Sequence, residues 1–248
     1  MADSNKGWGN RISTTLQQLG WINTILYMLK YLLEKISHNH LGLYKYYFVA
    51  QPVTEISLLP AGRGKKIAVF QIDGHDETIL QQFPRPAEVI RTRFENGAIC
   101  LAAFREERFI GFLWLSPGSY QEDEIRARFM PLPADRAVWD FDVHVEPDFR
   151  LGLTFLRLWD EANNFMRKHD IRWSCSRISA FNADSLGSHA RLGTKTMGSA
   201  VFLCIGQWQA MIANTAPWFH LSTHSDSFPE FRFDTRKLDR NSPSEKNQ

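Results

Sequence analysis

The chain has 248 residues, of which 44% are hydrophobic and 13% aromatic, and its formal net charge is only +2. This length and apolar content suffice for one packed domain with extensions. The near-neutral charge, without a basic stripe interleaved with aromatic residues, argues against a nucleic-acid partner. Cys100, Cys175 and Cys204 are three unclustered cysteines in apolar runs, which argues against a disulfide framework and a zinc site and suits a cytoplasmic protein.

Residues 12–36 carry apolar side chains at three- and four-residue spacing, which predicts an amphipathic helix of roughly 25 residues. Lys30, Glu34 and Lys35 interrupt the uncharged run before it reaches the ~20 residues that a bilayer span requires. The apolar segment also begins late and no small-residue cleavage site follows it, which argues against a secretory signal.

Three interpretations of this helix remain open. Residues 10–36 could cover a sheet face or form a homodimer, contact a different protein, or lie peripherally on the inner face of a membrane. The membrane interpretation is supported by Trp21, Tyr27 and Tyr31, and by five Lys/Arg against two acidic residues within residues 1–50.

The next part of the chain alternates between predicted strands and short helices. Residues 66–72 indicate a strand, and residues 76–83 and 86–94 indicate two helices. Residues 98–115 predict a β-hairpin with a polar tip, and the proline-containing segment 116–135 predicts a long loop.

Residues 139–145 alternate between apolar and polar side chains, the period of a half-buried strand. By this alternation Asp140, Asp142 and His144 share one face. A loop containing Gly152 follows, and then an amphipathic helix begins. Unpaired N–H groups in the first turn of such a helix bind phosphate groups well.

A second strand, predicted over residues 171–180, precedes the pattern N-x-x-S-x-x-x-H-x-x-L-G. Asn182 is a suitable helix N-cap, and Gly193 suits the left-handed residue that follows a last helical turn. Ser185 and His189 are four residues apart and therefore share a helix face.

This pattern resembles motif B of the GNAT acetyltransferase superfamily, N-x-x-A-x-x-L-Y-x-x-x-G-F, with His189 in the position of the tyrosine. The run from Val145 to Arg150 resembles the V-x-P-x-x-R segment that leads into the family's pyrophosphate-binding loop. The glycine positions of that loop fall on Leu153 and Phe155, and only a one-residue deletion brings Gly152 and Thr154 onto them.

The resemblance implies a mixed α/β fold, in which a mostly antiparallel central sheet is flanked by helices. It also implies an N-acyltransferase that moves the acetyl group of acetyl-CoA, or another acyl group, to a primary amine by direct attack, without a metal. Asp142 would be the general base, and His189, titrating near neutrality, would protonate the departing thiolate. Residues implied to bind the co-substrate are Val143, Val145, Arg150, Leu151, Gly152, Leu153, Thr154, Asn182 and Ser185.

The acceptor stays open between a small-molecule amine and an amino sugar. The alternative function is a catalytically inactive GNAT-fold scaffold protein, tethered through its first helix. The predicted organisation is an N-terminal helix and connecting segment (1–60), a GNAT-like domain (61–207), and a C-terminal packing segment (208–248) that frays beyond Ser222.

Overall fold

The computed structural model describes residues 4–38 and 40–239, and describes side chains from residue 16 onward. The chain forms two compact units that interleave along the sequence. Unit 1 comprises the chain up to Gln51 together with Gln121–Phe129 and Arg177–Arg232. Unit 2 comprises Pro52–Tyr120, Met130–Ser176 and the chain from Phe233 onward.

Six α-helices and one 3-10 turn lie within the described residues. The 3-10 turn spans Pro147–Phe149. The α-helices are α1 (Ser4–Ile36), α2 (Glu77–Leu80), α3 (Ala87–Glu95), α4 (Thr154–Lys168), α5 (Ala183–Arg191) and α6 (Arg236–Asp239).

Twelve β-strands lie within the same ranges. They are β1 (Leu41–Pro52), β2 (Ile67–Ile72), β3 (Ile99–Arg105), β4 (Arg108–Pro117), β5 (Tyr120–Gln121), β6 (Arg128–Leu132), β7 (Ala137–Val145), β8 (Trp173–Ser179), β9 (Lys195–Ile205), β10 (Trp208–Ala213), β11 (Phe219–Ser222) and β12 (Glu230–Asp234).

Unit 1 is built on an antiparallel sheet in which β1 pairs with β9, β9 with β10, and β10 with β11. One face of this sheet packs on an aromatic core. The rings of Phe48, Phe129 and Phe231 lie with centroids 4.7–5.7 Å apart, and Phe202 contacts the same group. All four side chains are fully buried, so this cluster holds unit 1 together largely by apolar burial.

Unit 2 is built on the antiparallel strands β2, β3, β4 and β7, and β8 joins β7 in parallel. One sheet face carries Cys100, Phe112 and Trp114, which pack with residues of α2 and α3 such as Leu80 and Ile90. Helix α4 contacts β2, β3 and β4 and buries Leu158, Trp159, Ala162 and Met166, thereby covering the opposite face.

The predicted mixed α/β class, with mostly antiparallel strands and an N-terminal helix, is confirmed. Helix α1 contains a break at Gly20, whose φ of 74° and ψ of 166° are not helical. The segment 116–135, predicted as a loop, contains the short strands β5 and β6.

The C-terminal segment departs further from expectation. The chain beyond Ser222 was predicted to fray because of its polar composition, but β12 forms there. Phe231 and Phe233 are buried in it, and Thr235 donates backbone and side-chain hydrogen bonds to the Leu132 carbonyl. Two aromatic residues at alternate positions thus outweigh a polar average composition. The rest of the predicted tail, residues 240–248, lies outside the described residues.

Candidate functional site

The centre of strand β7 contains a β-bulge. Phe141 lies opposite Trp114 of β4, whereas His144 lies opposite Phe112. Two residues of β7 therefore face a single residue of β4, and one of them has no ladder partner. Asp142, the first of the two, has a φ of 48°, in the left-handed region that non-glycine residues seldom adopt. Bulges of this kind redirect side chains and are frequent beside active sites.

The bulge also changes which side chains share a face. Asp140 lies opposite Leu115 and His144 opposite Phe112, and residues 112 and 115 point to opposite faces of β4. The His144 ring accordingly lies 5.4 Å from the Phe112 ring, on the side of α2 and α3. The expectation that Asp140, Asp142 and His144 share one face is therefore wrong, because the extra residue reverses the alternation.

The Asp142 carboxylate is held by two arginines. Arg85 donates to both carboxylate oxygens, at 3.0 and 2.6 Å, and Arg93 donates to Oδ2 at 2.7 Å. The Arg93 guanidinium also lies over the rings of Trp114 and Phe141, at 5.3 and 5.2 Å. These bidentate and charge-assisted contacts fix the bulge to α3 and to the segment before it. Three N–H donors thus occupy most of the roughly four lone-pair positions of this carboxylate.

Asp140 is in a different environment. Its carboxylate is buried and accepts a hydrogen bond of 2.7 Å from the Ser174 hydroxyl of β8. Burial raises the pKa of Asp140 to about 7, although hydrogen bonds from Ser174 and Ser176 partly oppose that effect. Asp140 follows directly after Trp139, which pairs with Cys175 of β8 at the end of the parallel ladder. A group that gains and loses its proton near neutrality therefore lies next to the end of the parallel pairing.

The parallel pairing of β7 and β8 covers a small part of β7. The register joins residues 137–139 of β7 to residues 173–175 of β8, and β7 continues to Val145. The six residues from Asp140 to Val145 include the bulge and the predicted binding residues Val143 and Val145.

The segment after β7 turns tightly into α4. Phe149 donates its N–H to the Glu146 carbonyl at 2.8 Å, and Gly152 donates to the Phe149 carbonyl at 3.0 Å. Arg150 turns back so that its Nε donates to the Val145 carbonyl at 3.1 Å. A Cβ on Gly152 would lie 3.2 Å from that same Phe149 oxygen, so a larger residue there would crowd the turn.

The first turn of α4 has neither a side-chain cap nor an acidic residue. Its N-cap is Leu153, a side chain that cannot accept a hydrogen bond, and Leu151 is fully exposed nearby. The positive end of the α4 dipole is thus uncompensated by any charged group in the first turn. Helix α5 differs, because Asn182 caps it and Asp184 lies in its first turn.

In unit 1, α5 has the predicted N-cap. The Asn182 side chain accepts a hydrogen bond of 3.0 Å from the Ser185 N–H, as its position before the helix implied. His189 is buried, and burial lowers the pKa of its ring to about 4. The expectation that His189 titrates near neutrality is therefore wrong: at pH 7 its imidazole is neutral.

A cavity of about 600 Å³ lies elsewhere in unit 2, lined by the loop before β2 and by Arg157 and Asp160 of α4. It contains none of the predicted site residues. Across the described ranges, no group of three or more His, Cys, Asp or Glu side chains is placed to hold a metal ion. No helix in the described part of the chain combines the length and apolarity needed to cross a bilayer.

Sequence reasoning missed Arg85, Arg93 and Ser174 as parts of the candidate site. They lie 57, 49 and 34 residues from their carboxylate partners, and none belongs to a local motif. Only Asp140 and Asp142 carried a signal, as acidic residues within an otherwise apolar strand.

No protein-family model and no curated protein sequence matches the chain. Several solved structures are similar to parts of it. A functionally unknown conserved protein from Staphylococcus epidermidis ATCC 12228 is 12% identical with a TM-score of 0.47, over 71% of this chain and 67% of that chain.

Two other similar structures are acetyltransferases or GNAT proteins. An aminoglycoside acetyltransferase from an uncultured soil metagenomic sample is 11% identical with a TM-score of 0.40, over 52% of this chain and 88% of that chain. A tandem GNAT protein from the clavulanic acid biosynthesis pathway is 13% identical with a TM-score of 0.43, over 65% of this chain. The present chain spans about half of that protein, 53% of its length.

Proposed function

We propose that this protein is an acyl-CoA-dependent N-acyltransferase of GNAT type, which transfers an acetyl group from acetyl-CoA to a primary amine by direct attack. The observation that carries the proposal is the form of β7: it pairs with β8 over three residues, then continues through a bulge into the α4 loop. Backbone N–H and C=O groups of a strand segment beyond such a ladder can bind an amide-containing pantetheine arm. We assign Val143 and Val145 to that contact.

The N-terminus of α4 supports binding of the pyrophosphate. Its first turn has no cap and no acidic side chain, so its N–H groups and dipole favour an anion. Residues 150–154 surround this helix end, and Arg150 adds a positive charge. Phe155, at one of the family's glycine positions, lies edge-on to Trp159 of its own helix, with the ring centroids 6.4 Å apart. This packing directs the ring along α4.

The reaction depends on the orientation of the amine and the thioester, and it needs no covalent intermediate with the protein. The amine nitrogen bonds to the acetyl carbon as the carbon–sulfur bond breaks, and the thiolate leaves and takes up a proton. Backbone N–H groups at the bulge would polarise the thioester carbonyl, and a held geometry contributes roughly 7–11 kcal/mol in the best intramolecular models.

For the proton acceptor we propose Asp140 in place of Asp142. A base works best when its pKa lies near the working pH, and the pKa of Asp140 is raised to about 7. Asp142 is engaged by Arg85 and Arg93, and we assign it the role of fixing the bulge. A buried Asp140 would receive the proton through the Ser174 hydroxyl or a water molecule.

The α5 residues receive more limited roles. Asn182 serves as the N-cap through its bond to Ser185, and contact of either residue with the co-substrate stays a prediction. His189, neutral at pH 7, could donate a hydrogen bond to a thiolate but carries no imidazolium proton to transfer. We propose that the thiolate is protonated by solvent or by the proton that the attacking nitrogen loses as the amide forms.

Titration calorimetry with acetyl-CoA tests the proposal, and Leu151 offers a matched pair of variants. Its side chain is fully exposed, so neither Leu151→Asp nor Leu151→Asn should disturb the fold. The added carboxylate should weaken binding about tenfold by repelling the pyrophosphate, whereas the neutral amide should not. Wild-type binding in the micromolar range is expected. Equal affinities for both variants would contradict the site.

Release of free thiol in the presence of amines would then identify the acceptor class. We propose a small-molecule amine or an amino sugar as acceptor, and a panel of both should raise thiol release above the hydrolytic background. The initial rate should increase with pH to a plateau above about 7, as Asp140 loses its proton.

The alternative function is a scaffold protein that does not bind acyl-CoA. It is favoured by the bulky Leu153 and Phe155 at the positions that are glycine in the family loop. Absence of acetyl-CoA binding up to millimolar concentration would support this alternative and exclude the transferase.

A further inference from the structure

Helix α1 turns its apolar stripe away from the protein. The stripe follows the three- and four-residue spacing of one helix face, and its members expose between 41% and 69% of their side chains. An amphipathic helix that covers a sheet buries that face instead. The stripe consists of Trp21, Ile22, Ile25, Met28, Leu29, Leu32 and Ile36.

Polar contacts join α1 to the sheet of unit 1. Asn23 is buried and donates to the Tyr47 hydroxyl at 3.0 Å, and Lys45 donates to the Asn23 carbonyl oxygen at 2.8 Å. Thr24 is also buried, and Tyr27 packs on Phe181 at 5.7 Å. Leu19, Leu26 and Leu33 lie on this same inward side and are partly buried, whereas the residues of the stripe stay exposed.

The hairpin β10–β11 presents a second apolar area on the same sheet face. In antiparallel pairs, directly opposite residues share a face. Lys45 is opposite Val201, Val201 is opposite Ile212, and Ile212 is opposite Phe219. Because Lys45 contacts α1, the helix and the hairpin lie over one face of unit 1. The large side chains exposed on that face of the hairpin and its flanks are Ile205, Trp208, Ile212, Phe219 and Leu221.

This hairpin also lacks the charges that normally protect a sheet edge. Strand β11 is the outermost strand of its sheet, yet residues 196–225 contain no Lys, Arg, Asp or Glu. Edge strands of soluble proteins usually carry lysine or other charged residues, which disfavour pairing with another chain. Large contiguous exposed apolar areas commonly mark surfaces that bind a partner or a membrane.

We propose that the stripe of α1 and the hairpin residues, together called the outer surface, dock onto a lipid membrane that contains anionic headgroups. Trp21 of the stripe and Trp208 of the hairpin supply the aromatic side chains that bilayer interfaces favour. Glu34 is paired with Lys30 at 3.6 Å, so the unpaired charge on this part of α1 is that of Lys35. The outer surface is thus apolar, and Lys35 beside the stripe adds one positive charge, which an anionic bilayer would attract.

The geometry favours lying in the interface over crossing the bilayer. The charged residues of α1 prevent a continuous apolar span, and the break at Gly20 divides the helix. Side chains from a helix and from a hairpin, all on one face, suit insertion to the depth of the headgroup boundary.

Vesicle co-sedimentation with the full-length protein tests this proposal. Phosphatidylcholine vesicles with and without about 30% phosphatidylglycerol should both bind the protein, the anionic ones more tightly and with affinity that falls as salt rises. The double variant Ile25→Gln/Leu32→Gln should bind about tenfold more weakly, as should Ile212→Thr/Phe219→Thr. Ile56→Gln, at a 79% exposed position of unit 2, is the matched control and should bind like the wild type.

Two outcomes would overturn the proposal. One is wild-type protein that stays in the supernatant with both vesicle types. The other is a wild-type dimer, seen by light scattering without lipid, that does not bind vesicles and does not form in the double variants. The outer surface would then be an interface with a second copy of the chain. Because the variants lie outside the acyl-CoA site, their affinity for acetyl-CoA should be unchanged, so this proposal and the proposed function fail separately.

Discussion

Asp140→Asn provides a quantitative test of the buried carboxyl group. The pKa of Asp140 is about 7 in the folded protein, compared with 3.8 for an unperturbed aspartate, because burial disfavours the charged form. Between these pH values the folded state binds more protons than the unfolded state. The free energy of unfolding therefore falls as the pH rises from about 4 to about 7. Above that range the contribution of Asp140 no longer changes with pH.

The size of the effect follows from the pKa difference. A difference of about 3, at 1.36 kcal/mol for each pKa unit, corresponds to about 4 kcal/mol of free energy of unfolding. An asparagine carries no such titration and can still accept the Ser174 hydrogen bond. The free energy of unfolding of the variant minus that of the wild type should therefore increase by about 4 kcal/mol between pH 4 and pH 8.

Urea unfolding of both proteins at several pH values measures this difference directly, since the titrations that both proteins share cancel. Asp184→Asn, at an exposed position of α5, controls for the loss of one formal charge. A difference between Asp140→Asn and wild type that stays constant from pH 4 to pH 8 would refute the burial argument. It would also remove Asp140 as the proposed proton acceptor.

Three further predictions concern His189, the bulge and its strand neighbour. Because burial lowers the pKa of His189 to about 4, wild-type stability should rise by about 3 kcal/mol as the pH rises from about 4 to 6.5, and His189→Gln should lose this rise in urea titrations. Asp142→Asn should destabilise by about 2–4 kcal/mol, since Arg93 is left largely buried without its counter-charge, whereas Asp148→Asn, in an exposed pair, should cost under about 1 kcal/mol. Gly111→Ala would place a Cβ 2.5 Å from the His144 carbonyl oxygen, so it should lower the melting temperature and weaken acetyl-CoA binding together.

Local patterns predicted the elements of the candidate site well. Period-two alternation identified β7, three- and four-residue spacing identified α4, and the position of Asn182 before a helix identified its cap. Each of these signals depends only on neighbours in the sequence, which is why they could be read without a structure.

The bulge could not be predicted in the same way. A bulge is a property of two paired strands, so the count of residues on β4 is needed to see that β7 has one too many. Alternation alone placed Asp140 and His144 on one face. This was wrong because the number of β4 residues opposite this part of β7 cannot be read from the sequence. The arginines that hold Asp142 were likewise invisible, because their contacts join distant parts of the chain.

The separation of Asp140 from Asp142 changes the chemistry that the strand can perform. Two adjacent acidic residues on one solvated face would be interchangeable bases. The bulge instead directs Asp142 into a pair of guanidinium groups and leaves Asp140 in a buried position beside β8. Asp142 is held by Arg85 and Arg93, whereas burial raises the pKa of Asp140 to about 7, so the two carboxylates lie in different environments.

Helix α1 illustrates a different limit of sequence patterns. The spacing of its apolar residues shows that one face is hydrophobic, but spacing carries no information on the direction in which that face points. In the structure, Asn23 and Thr24 are buried whereas Ile25 and Leu32 are more than half exposed, so the described part of the chain does not cover the stripe. Full burial of such a side chain stabilises by about 1.5–3 kcal/mol, so the exposure of seven of them is an energetic cost that the spacing of apolar residues alone does not reveal.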